Sequence, residues 1–176
     1  KSGYHMLFTT NHDENTWHGT VFERLGEHHK ALAVFAATFQ GMPLVYNGQE
    51  APLKKRLEFF KKDAIDWNGY EYEDFYKKLM TLKKRNRALW NGQYGGEPQK
   101  VQTGNDKDTY IYLREKEGDK ILVLLNFSDK EQELKLSGDA NYTGEYTDVF
   151  MNQTKNIAKD EIIKLPAFGY LLLSNK

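Results

Sequence analysis

The sequence contains no cysteine. Disulfide frameworks, thiolate zinc sites and cysteine nucleophiles are therefore excluded. An excess of charge of either sign is also missing: Lys+Arg and Asp+Glu number 25 each, for a formal net charge of zero. Nucleic-acid binders carry a strongly basic balance or stripe, so no nucleic-acid partner is expected. No apolar run approaches the roughly 20 residues that cross a bilayer, so no membrane-spanning helix and no membrane partner are expected. The start, Lys1-Ser2-Gly3-Tyr4-His5, has neither an initiator Met nor an apolar signal core, and it reads as a cut or processed end.

What is present is ample material for folding. The 176 residues suffice for one ordinary domain or two small ones. Hydrophobic residues make up 39% and aromatics 14%, too much buriable surface for a disordered chain.

The pattern changes near Gly95-Gly96. Before it, short apolar runs alternate with helical stretches, the signature of β/α units. Met6–Thr10 reads as a strand ending in Asn11-His12-Asp13-Glu14, and residues 27–40 as a helix that is apolar nearly all round. Pro43-Leu44-Val45-Tyr46 reads as a second buried strand, ending on Gly48-Gln49-Glu50. A loop carrying Asp66-Trp67-Asn68-Gly69 then leads to a helix over 72–89. After the glycine pair, strands are expected at 110–114, 120–126, 131–136, 142–149, 161–165 and 169–173, with a hairpin turn at Glu117-Gly118-Asp119. Strands at this spacing favour an antiparallel sandwich or Greek-key sheet. The expected fold class is thus α/β plus all-β, divided into residues 1–94 and 95–176. Removing everything up to Gly95 is expected to leave an independently folding module.

The group at the end of the first strand carries the chemistry. Polar side chains at the carboxyl end of a buried strand occupy the edge where β/α folds place ligand chemistry. Three readings of Asn11-His12-Asp13-Glu14 compete. Its His12, Asp13 and Glu14 could ligate a metal, although adjacent residues at a strand end diverge. Asn11 or Asp13 could cap a following helix. A carboxylate with a neighbouring His could also serve catalysis or sugar binding.

Phe8-Thr9-Thr10-Asn11-His12-Asp13 resembles the Phe-x-x-Asn-His-Asp motif that closes the seventh barrel strand in the alpha-amylase family. Gly41-Met42-Pro43-Leu44-Val45-Tyr46-Asn47-Gly48-Gln49-Glu50 resembles that family's eighth strand, Gly-x-Pro-x-x-Tyr-x-Gly-x-Glu, in the right order. The resemblance implies the C-terminal part of a TIM (β/α)₈ barrel, its last two β/α units, followed by an antiparallel β-sandwich domain. It also implies retaining hydrolysis or transfer on α-glucans or maltooligosaccharides. Asp13 would be the transition-state-stabilising carboxylate, His12 and Trp17 would bind substrate, and Asn11 and Glu50 would support the site. No metal and no cofactor are assigned. The family's nucleophile and general acid/base motifs are absent from this sequence, so the chain alone is expected to be inactive. It is expected either to associate, with the missing N-terminal part of the barrel or with another copy, or to be a piece of a longer polypeptide. A non-catalytic carbohydrate-recognition or partner-subunit relative of the same fold is the alternative.

Overall fold

A computed structural model describes residues 3–67 and 69–176. Of the segments read above, Lys1 and Ser2 of the expected cut end and Asn68 of the central loop lie outside the described residues.

The first half is built on two short parallel strands, β1 (Met6–Leu7) and β2 (Met42–Pro43), paired Met6 to Met42 and Leu7 to Pro43. Both are shorter than the apolar runs suggest. The chain between them forms a π-helical turn (Glu14–His18), α1 (Val21–Leu25) and α2 (His29–Thr38). A capping box starts α1: the Thr20 hydroxyl accepts from the Glu23 amide, and the Glu23 carboxylate accepts from the Thr20 amide. Ala31, Ala33, Val34, Ala36 and Ala37 are all buried, so α2 is enclosed on several sides, as its all-round apolar pattern implied. After β2 a long loop leads to α3 (Glu73–Arg85) and two 3₁₀ turns, Arg87–Leu89 and Gly92–Tyr94.

The second half is antiparallel. Strands β3 (Gln99–Val101), β4 (Thr109–Lys116), β5 (Asp119–Asn126), β6 (Gln132–Lys135), β7 (Gly144–Asp148), β8 (Thr154–Ile157), β9 (Ile162–Leu165) and β10 (Tyr170–Ser174) follow in order. Six of them form one sheet in the order β3-β4-β5-β10-β7-β8, and β6 pairs with β9 as a separate ladder. The β4–β5 hairpin turns on Glu117 and Gly118, with φ of 51° and 84°. That left-handed pair suits a two-residue turn between twisted strands.

Strand alternation divides the large sheet into two buried faces. Ile111, Leu113, Leu122, Leu124 and Leu173 pack with Leu134, Ile163 and Leu165 of the β6–β9 ladder. On the opposite face Tyr112, Ile121, Val123, Leu125 and Leu172 are 0% exposed, covered by α2, α3 and the Arg87–Leu89 turn. The layers beside the large sheet are therefore unequal, a two-stranded ladder on one side and helices from the first half on the other. One hydrophobic core runs across the Gly95-Gly96 boundary. The glycines there have a steric reason: a Cβ on Gly95 would lie 1.7 Å from the Trp90 carbonyl oxygen, and one on Gly96 2.3 Å from that of Glu115.

The polar seam of this interface centres on Arg114, which is fully buried. Its guanidinium donates to the carbonyls of Gly96 (2.7 Å), Thr38 (2.8 Å), Phe39 (3.0 Å) and Trp90 (2.8 Å). Burial lowers its pKa to about 10. Carbonyls at the C-terminus of α2 suit a cation, since they carry the negative end of the helix dipole.

Candidate functional site

The polar groups picked out by sequence gather where the chain leaves β1 and β2. Thr9 and Thr10, just past β1, are buried. At Asn11 the backbone turns: its side-chain oxygen accepts from the Glu14 amide at 2.8 Å, and its carbonyl from the Asn15 amide at 2.9 Å. The capping role thus falls to Asn11. Asp13 makes no side-chain cap bond, and its carboxylate is left open to solvent. His12 Nε2 lies 3.5 Å from Asp13 Oδ2, and both side chains are more than half exposed.

Glu14 faces inward and joins an ion-pair chain. Its Oε2 lies 2.9 Å from the Arg24 guanidinium, which also donates to the Thr9 carbonyl at 3.1 Å, and 3.1 Å from His18 Nδ1. This chain braces the end of β1. Across the strand pair, Gln49 does the same from β2. Its amide nitrogen donates to Thr9 Oγ1 (2.9 Å) and the Tyr76 hydroxyl (2.8 Å), and its oxygen accepts from the Tyr46 amide (2.5 Å). Burial drives the Tyr76 hydroxyl pKa upward. Glu50 lies one residue further. Its main-chain carbonyl accepts from Tyr72, while its Oε2 is buried without a hydrogen-bond partner among the described residues.

Trp17 sits in the π-helical turn, which also clamps the loop after β2. Asn15, 2% exposed, donates to the Lys55 carbonyl (3.1 Å) and accepts from the Leu57 amide (2.8 Å). Thr16 donates to the Leu57 carbonyl at 2.7 Å. Arg56 grips Glu23 through two bonds of 3.0 Å, and Lys55 pairs with Asp63. The result presents Phe59 and Phe60 beside Trp17 and His12, with ring centroids 5.3 Å apart for Trp17–Phe59 and 5.6 Å for His12–Phe59. These phenylalanines, Gln49 and Arg24 were not singled out from sequence. Among the described residues, no three or more His, Asp or Glu side chains gather as metal ligands.

The chain has likenesses among known proteins. Residues 99–172 match the family described as Maltogenic Amylase, C-terminal domain. The chain is 25% identical to Alpha-amylase 2 of Dictyoglomus thermophilum, over 96% of this chain and 29% of that protein. It is 28% identical to a cyclomaltodextrinase of Thermoanaerobacter pseudethanolicus, over 61% of this chain and 18% of that protein. Among solved structures, the maltogenic alpha-amylase AmyB of Thermotoga neapolitana matches with a TM-score of 0.77 and 26% identity, over 96% of this chain and 40% of that one. The chain spans less than a third of the length of these curated relatives. These likenesses are all to the C-terminal region of alpha-amylase-family proteins.

Proposed function

We propose that this chain is the C-terminal portion of a retaining glycoside hydrolase acting on α-glucans or maltooligosaccharides. In this reading residues 1–94 supply the last two β/α units of a (β/α)₈ barrel, and residues 95–176 form the C-terminal antiparallel domain. The observation that supports it is Asp13, a carboxylate in the turn that follows the parallel strand β1, free of capping duty and 3.5 Å from His12.

Cleavage of a glycosidic bond passes through a sugar with oxocarbenium character. A fixed anion near that sugar stabilises the growing positive charge, and this is the role assigned to Asp13. His12 donates to a hydroxyl of the same sugar, and Trp17 packs against a sugar face. Asn11 fixes the turn that presents the pair, while Gln49 and Glu50 hold the neighbouring strand end. The nucleophile and the general acid/base come from the preceding part of the polypeptide. Met6, Phe8 and Met42, exposed along the β1–β2 pair, are the surface assigned to that part, or to a second copy in its absence.

The test is hydrolysis of maltooligosaccharides by the full-length protein, its Asp13→Asn variant and the isolated chain. The proposal expects turnover in the full-length protein, its loss by a factor of about 10³ or more in Asp13→Asn, and none in the isolated chain. Undiminished turnover in Asp13→Asn would sink the assignment.

A further inference from the structure

The loop after β2 carries Lys54-Lys55-Arg56-Leu57-Glu58-Phe59-Phe60-Lys61-Lys62, and its two phenylalanines point into water. Phe60 is 85% exposed, Trp17 54% and Phe59 38%. Phe59 and Phe60 meet edge to face at 4.8 Å, and Trp17 approaches both, at 5.3 and 6.3 Å. Three large rings side by side on a surface form an apolar patch of the kind that marks a binding site. Charged groups rim it, and its inner end touches His12, which in turn lies beside Asp13.

The patch is held in place by groups that gain nothing from the rings. Asn15 and Thr16 bind the loop backbone at Lys55 and Leu57, Glu23 grips Arg56, and the Glu58 amide donates to Asp63 at 3.1 Å. A loop fixed on both sides of Phe59 and Phe60 presents the rings ready-made, so a ligand need not order them. A glucosyl unit has the matching chemistry: its axial C–H bonds make an apolar face, while its hydroxyls stay at the rim. Aromatic walls with a few polar groups at one end are the usual lining of such sites.

We infer that Phe59 and Phe60, with Trp17, form an aromatic wall that stacks the glucosyl unit next to the one held at His12 and Asp13. This inference rests on the proposed α-glucan activity and adds the residues that bind the neighbouring sugar. Phe60 is the decisive side chain, because it is the most exposed of the three rings in this chain.

The experiment uses the full-length protein in an Asp13→Asn background, with maltoheptaose binding measured by calorimetry. Adding Phe60→Ala is expected to weaken binding about tenfold, while Phe60→Tyr, which keeps the ring, binds as the background does. In the otherwise native enzyme, Phe60→Ala is expected to raise KM for maltoheptaose by a similar factor, and by more than it changes kcat. Unchanged binding in Phe60→Ala overturns the wall. So does a loss of binding that comes with a lower melting temperature and is not restored by Phe60→Tyr, which would assign the rings to packing. Turnover surviving in Asp13→Asn alone would instead overturn the proposed function, and the calorimetric comparison would still decide the wall.

Discussion

The Arg114 guanidinium donates to the Thr38 carbonyl at 2.8 Å, joining strand β4 of the large sheet to the last turn of α2. A second bond runs alongside it, 2.6 Å between the hydroxyls of Thr38 and Tyr112. No carboxylate takes part in these contacts, and the buried cation is met by main-chain carbonyls from three segments. Such an arrangement ties down the ends of helix and loop in one place, at the cost of desolvating a charge.

Arg114→Met should therefore destabilise the chain by about 3–5 kcal/mol, since four carbonyls lose their donor in a dry interface. Arg114→Lys should recover only part of this, because one ammonium cannot reach three segments with the geometry of a planar fork. Urea denaturation of the three proteins measures both differences. A loss below about 1 kcal/mol for Arg114→Met would show that solvent replaces the arginine.

The boundary at residue 94 meets a second consequence of the packing. Tyr112, Ile121, Val123, Leu125 and Leu172, all beyond it, are completely covered from the other side of the boundary. At about 1.5–3 kcal/mol for each large apolar side chain, that face is comparable to the whole net stability of a domain, about 5–15 kcal/mol. Residues 95–176 expressed alone should bind a hydrophobic dye, self-associate and melt without a cooperative transition. A soluble monomer with a sharp transition would show that residues 95–176 fold independently and that the helices add nothing essential.

The Glu23–Arg56 pair sets a pH dependence. The Arg56 side chain, and then the Thr20 amide, hold the Glu23 carboxyl at about 2, against its ordinary 4.5. A lowered folded-state pKa means that the unfolded chain binds the proton first on acidification. The contribution is whole above pH 4.5 and is lost as pH falls towards 2. Both groups are exposed, so the effect is small and screened by salt. Melting curves of the native chain and Glu23→Gln should differ at pH 6 and converge as pH falls through that window. A gap that does not change with pH would mean the charge contributes nothing.

Much of this architecture can be read from residue order, and the parts that cannot share a cause. The uninterrupted apolar run 121–125 signals a strand buried on both faces, and Glu117-Gly118 marks its hairpin. Strands β3 and β8 escape notice because they are the outermost of the large sheet, with only Val101 and Ile157 buried. Without a second inward residue there is no alternation to detect. Arg114 is missed for the opposite reason: a charged residue in a strand reads as solvent-facing unless the covering helices are known. Asn11, His12 and Asp13 were legible because they are contiguous. Gln49 and Phe60 act through contacts with residues about 40 positions away, which no local pattern encodes.

The π-helical turn at Glu14–His18 closes with the Gly19 amide on the Glu14 carbonyl, one residue wider than an α-helical turn. That added residue acts as a spacer whose phase sets which side chains look towards the loop and which look out. Deleting Thr16 would wind the turn back into ordinary register and swing everything after it by about 100° around the axis. Trp17 would then leave Phe59, while Asn11 through Asp13 kept their places. The alignment of carboxylate and aromatic rings is thus a matter of chain length as well as of side-chain identity, and an alteration of length could break it with every named residue still present.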